Sequence, residues 1–176
     1  MSMVVKPQDV LILLKLVSRR SRDASFGELA QSLGMSASEV HAGVRRAQHA
    51  RLYSEATKEP LWPNLLEFVL HGVKYAFPPE TGGRTRGVPT AHAAPPLSDV
   101  LASGDPTPPV WPSEFGSASG FAFAPLYRSV PVAASKDERL YELLCLVDAV
   151  RAGRVREQQL AGQLLTERLA PDAARQ

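Results

Sequence analysis

Cysteine occurs once in this chain, at Cys145, and that scarcity removes two options. An internal disulfide needs a second thiol, and a cysteine-built zinc site needs several. Cys145 falls on the apolar side of an expected helix, which makes it a buried structural thiol rather than a nucleophile. Long apolar runs are missing too. VLILLKLV, from Val10 to Val17, is interrupted by Lys15 and is too short for a bilayer span. No cleavage-site pattern follows it, so the expectation is a cytoplasmic protein without membrane contact. Charge of one sign is scarce: twenty Lys and Arg face eighteen Asp and Glu, a formal net charge of +2. That excludes a strongly basic nucleic-acid coat. Catalytic signatures are also missing, with no Walker loop, GxGxxG, HExxH, GxSxG or metal-ligand spacing. TGGRTRG, residues 81–87, lacks the lysine and the strand-to-helix setting of a phosphate loop, so it reads as a turn. His71 and His92 stand alone and make a poor metal site. The expectation is a non-enzyme with no cofactor and no metal.

What the chain does contain is enough to fold. Its 176 residues, 44% of them hydrophobic, suffice for one sizeable domain or two small ones. The most informative stretch is Ser25 to Leu52, SFGELAQSLGMSASEVHAGVRRAQHARL. Ser25 and Ser36 are each followed three residues later by a glutamate, Glu28 and Glu39, the spacing of a capping box. Gly34 lies between them, where a left-handed backbone angle favours glycine. Two short helices joined by a glycine turn read as a helix-turn-helix; the plainer alternative is an αα-hairpin with a solvated polar face.

At ~100° per residue, Val40, Val44 and Ala47 point inward with Gly43 beside them. Ser38, Ala42, Arg45 and His49 point outward, flanked by His41 and Arg46. Arginine grips guanine or phosphate bidentately, and Ser or His donates to bases or phosphates. The N-terminal end of the second helix is where such motifs meet base edges. The expected DNA contacts are therefore Ser36, Ser38, His41 and Arg45, with Arg46 on the phosphate backbone. Residues 1–60 hold nine Lys and Arg against six Asp and Glu, so the positive excess falls on this segment.

The surroundings divide the chain into three parts. Residues 1–92 form a DNA-binding domain, opened by a helix that starts at Pro7 and carries Val10, Leu13, Leu14 and Val17. Arg19, Arg20 and Arg22 follow it as a basic cluster. NLLEFVLHG (64–72) reads as a helix, VKYAF (73–77) as a strand and Val88–Ala91 as another. A hairpin turning at Gly82-Gly83 would put Arg84 and Arg86 at the tip of a wing, reaching the minor groove or the backbone. The alternative is an arginine-bearing surface loop. Residues 93–135 form a proline-rich connector, since eleven of the fifteen prolines lie between Pro78 and Pro131. Trp111 and Phe115 argue for anchors within it, and FAFAPLYRSV (121–130) for a strand. Residues 136–176 form a helical pair, Lys136–Ala152 and Val155 to Pro171, that caps the domain, dimerises or binds a partner. The fold class expected is mainly α with a small β-sheet.

Through ELAQSLGMSASEV and the hydrophobic helix before it, residues 6–60 resemble bacterial winged helix-turn-helix regulators of the MarR type. The resemblance implies sequence-specific binding of double-stranded DNA by Ser36, Ser38, His41 and Arg45, as a homodimer repressing a nearby promoter. The remainder departs from that family, which has no proline-rich insert. PLYRSVP followed by LYELLCLVDAVRAGRVRE is similar to small bacterial helix-turn-helix proteins of uncertain role, some of them antitoxin-like partners of toxins. The alternative function is accordingly a protein-interaction module that binds a co-encoded protein, with DNA binding secondary or lost.

Overall fold

Pro7 sits in the first turn of a helix, where its missing N–H leaves nothing unpaired. This helix, α1, runs Pro7–Ser18, and Asp9 closes its open end by accepting from the Lys6 backbone N–H at 2.9 Å. A computed structural model describes residues 2–19, 24–102 and 104–172 of the chain. Val10 to Leu14 are at most 1% exposed, so α1 is apolar on every side and lies in the interior. Arg20 and Arg22 of the expected basic cluster lie outside the described residues.

Two helices follow, α2 (Phe26–Leu33) and α3 (Ala37–His49), and a minimal antiparallel hairpin comes directly after them. Its strands are β1 (Tyr53–Ser54) and β2 (Glu59–Pro60), with residues 55–58 at the tip. Helix α4 (Trp62–His71) passes through Gly72 into the short helix α5 (Val73–Ala76). The first four residues of VKYAF are therefore helical rather than a strand, with Phe77 as the C-cap. Val73 is fully buried and the Phe77 ring sits edge-on to Phe68 at 6.3 Å, so packing overrides the β-preference of these residues.

Strand β3 covers Thr81–Pro89, and its pairing shifts register between Thr81 and Arg84. The Gly82-Gly83 pair thus makes an irregularity within a strand, not a hairpin turn. β3 runs antiparallel to both β4 (Pro109–Pro112) and β5 (Ala118–Phe123), which are parallel to each other, closing a small three-stranded ring. The strand expected at 121–130 stops at Phe123, and the chain re-enters helix as α6 (Val130–Ser135).

Helices α7 (Glu138–Ala152) and α8 (Val155–Leu169) complete the chain. The expected leucine stripe of α7 is buried, and so is every other residue from Leu143 to Arg151. A surface-lying amphipathic helix would show one wet face; α7 is a second interior helix beside α1. Lys15 Nζ and Ser18 Oγ reach across to the Asp137 carboxylate at 2.7 and 2.8 Å, which also caps α7 through the Leu140 N–H. Burial pushes the Asp137 pKa up, but these bonds outweigh it and hold the group below its ordinary value.

The ring of strands is fastened to α7 by a buried carboxylate. Asp148 accepts from Thr90 Oγ1 and Trp111 Nε1, both at 2.7 Å, and pairs with Arg151 at 2.8 Å. Tyr141 Oη donates to the Pro89 carbonyl at 2.6 Å, and Arg151 Nε to that of Phe77 at 2.9 Å. One apolar core, running from Val10 to Leu169, includes residues of α1 to α4, β4, β5 and α6 to α8. The architecture is α+β, mainly helical with a small sheet. Among the described residues no helix is long and apolar enough to cross a membrane.

Candidate nucleic-acid interface

Both capping boxes form. Ser25 Oγ accepts from the Glu28 N–H at 3.2 Å while Glu28 accepts from the Ser25 N–H at 2.8 Å. Ser36 and Glu39 repeat the pattern at the same two distances. Each pair satisfies amides that a helix start otherwise leaves open. Between them Gly34 takes φ +64°, and the Met35 N–H returns to the Ala30 carbonyl at 3.0 Å, ending α2 in one residue. Gly43 lets α3 cross α1 closely: a Cβ there would lie 2.5 Å from Ile12 Cδ1 and 2.9 Å from Asp9 Oδ1.

That crossing fixes the phase of α3. Val40, Val44 and Ala47 are buried against the core, and Ser38, His41, Arg45, Gln48 and His49 are exposed. Arg45 makes no hydrogen bond or ion pair among the described residues. Ser36 is exposed, but its hydroxyl is occupied as the helix cap and lies 3.2 Å from Ser38 Oγ. His41 stands edge-on to Phe26 of α2, ring centroids 5.8 Å apart. Ser36, Ser38, His41 and Arg45 therefore share one outward surface.

Arg46 is mostly turned inward from it. Its guanidinium is buried and grips Asp9 in a fork, Nε to Oδ2 at 2.8 Å and Nη2 to Oδ1 at 2.7 Å. The hydrogen bonds from Asp9 hold its pKa above the ordinary arginine value. Expected on the DNA backbone, Arg46 spends this fork on locking α3 onto α1, and its edge also lines the groove on the outward side of α3.

Arg84 and Arg86 are exposed, but they lie within paired strand β3 rather than at a hairpin tip. Arg84 Nε donates to Ser119 Oγ at 3.2 Å and Arg86 Nε to the Gly116 carbonyl at 2.7 Å. They belong to the ring of strands fastened to α7. The hairpin that directly follows α3 is β1–β2, whose tip carries Glu55 and Lys58.

Tyr127 and Arg128, which the sequence marks only as part of PLYRSVP and gives no site role, reach the N-terminal end of α3. Tyr127 Oη donates to Glu39 Oε1 at 2.7 Å, across 88 residues of sequence. The Arg128 guanidinium lies 3.7 Å from the same oxygen and 5.1 Å from the Tyr127 ring centre, and 77% of its side chain is exposed. The Ser36 amide, then Tyr127, push the Glu39 pKa down to about 2. Glu39 in turn raises that of Tyr127. The sequence offered the aromatic–cation pair within PLYRSVP, in a segment expected to be strand, without pointing to α3.

His71 is exposed on α4, and His92 lies 3.5 Å from Asp105 and 3.8 Å from Glu157. No group of three or more candidate metal ligands occurs among the described residues. No family model, no curated protein and no solved structure matches the chain.

Proposed function

We propose that this chain is a sequence-specific regulator that binds double-stranded DNA with α3 in the major groove, as a winged helix-turn-helix protein. The observation that carries the reading is Arg45: an exposed cation without a partner among the described residues, on the same outward surface as Ser38 and His41. Its neighbour Arg46 is paired with the buried Asp9. A major groove about 12 Å wide admits one helix, and arginine bonds guanine O6 and N7 bidentately there. The order α1, α2, turn, α3, hairpin supports the winged reading, with β1–β2 as a short wing. Arg128 adds a cation beside the N-terminal end of α3, where phosphates are favoured.

The test is a fluorescence-polarisation titration of the full chain against the duplex upstream of its own gene. It is run at two salt concentrations with unrelated competitor DNA. Binding that survives competitor is expected, and Arg45→Ala weakens it by ~1–3 kcal/mol, about ten- to hundredfold, on specific duplex only. A uniform loss on all duplexes would move Arg45 to a phosphate. Absence of binding by the folded protein overturns the proposal and favours the protein-interaction reading.

A further inference from the structure

Building on the DNA-binding reading, we infer that the α3 surface selects thymine next to guanine, packing the thymine 5-methyl group against Phe26, Ala37 and Ala42 while Arg45 bonds the guanine. The outward surface of α3 is not the cation-rich face that phosphate binding alone would require. It is a groove of about 850 Å³ in which Met3, Phe26, Ala37 and Ala42 lie beside Ser38, His41, Arg45 and the edge of Arg46. Phe26 stands at the start of α2, 41% exposed, with its ring edge against His41. Core packing does not account for a phenyl ring left half in water.

The four base pairs offer only one apolar group in the major groove, the 5-methyl of thymine. An apolar lining on a reading helix therefore discriminates thymine from cytosine at the same position. The two alanines carry no side chain beyond Cβ, which allows the helix to approach the base edges closely. Arg45, unpaired and one turn beyond Ala42, supplies the charge-assisted partner for a neighbouring guanine. An apolar partner helix would satisfy the methyl-sized surface but leave Arg45 without a counter-ion; duplex DNA satisfies both.

The experiment selects enriched sites from a randomised duplex pool with the full chain. It then replaces each thymine of the enriched site, one at a time, by deoxyuridine, which removes the methyl group alone. At least one thymine beside a selected guanine is expected to bind roughly three- to fivefold more weakly as deoxyuridine. That penalty shrinks toward nothing in Ala42→Ser or Ala37→Ser, whichever faces the methyl. An enriched site at which every deoxyuridine is neutral overturns the methyl-reading inference and leaves the DNA-binding reading intact. Failure to enrich any site overturns both.

Discussion

Arg45 and Arg46 are one position apart, yet only Arg46 is buried and paired with Asp9. Asp9 is fully buried and is paired by the Arg46 fork and the Lys6 amide. Removing the guanidinium leaves an uncompensated buried carboxylate, so Arg46→Ala is expected to destabilise the fold by ~3–5 kcal/mol in urea melts. Arg46→Lys recovers little of it, because an ammonium does not reproduce a two-point fork. Arg45→Ala leaves the melt unchanged, which separates the two roles. Helix phase alone did not reveal this division. Arg46 lies about 100° from both Arg45 outside and Ala47 inside, and its partner sits 37 residues upstream. A second residue-scale expectation concerns Ser129, whose hydroxyl is buried without a hydrogen-bond partner and whose Cβ sits against the Gly34 turn. An orphaned polar atom costs about 1–3 kcal/mol, so Ser129→Ala should raise the melting temperature. A drop would mean that the hydroxyl has a partner, such as an ordered water.

At the scale of elements, the start of α3 is held from two sides. Ser36 supplies the local cap, and Tyr127 donates from the segment after β5. Glu39 has an ordinary value of 4.5 and is pushed down to about 2 in the folded chain. A depressed carboxyl contributes stability that is fully present above its unfolded pKa and disappears as pH falls toward the folded value. The α3 start should therefore loosen between about pH 4.5 and 2. Tyr127→Phe removes one donor, and the Glu39 titration, followed by carboxyl NMR, should move upward toward the ordinary value. An unmoved titration would leave Ser36 as the sole cause. The local half of this arrangement was legible in the sequence, because Ser-x-x-Glu and Gly34 act within a few residues of themselves. The other half was not, since it depends on the turn after β5 coming back to α2 and α3. The same contrast explains the hairpin. β1 and β2 have two residues each, too few for an alternating pattern, whereas the VKYAF composition favoured a strand that core packing converts into α5.

Across the whole molecule, α7 decides how far the parts are separable. The sequence placed it in an appended pair, because its leucines recur at helical spacing and nothing local shows that Leu146, Asp148 and Ala149 are buried as well as the leucines and Cys145. Their burial follows from partners distant in sequence: α1 on one side and the β3–β4–β5 ring, through Thr90 and Trp111, on another. α8 does not extend this pairing outward, since Gln159, Gln163, Thr166 and Glu167 form its exposed side. Deleting residues 136–176 therefore strips apolar partners from α1 and removes the Asp137 cap that ties Lys15 and Ser18. Several buried leucines are lost with them, each worth ~2–5 kcal/mol when truncated to alanine. Their sum exceeds the 5–15 kcal/mol that holds a domain together. The truncated chain 1–135 is expected to show no cooperative thermal transition by circular dichroism and no DNA binding. A cooperative transition with retained DNA binding would instead make the α1–α3 unit an autonomous reading head. In the intact chain the two interior helices position the outward surface of α3: α1 holds α3 through Asp9 and Gly43, and α7 holds α1 through Asp137.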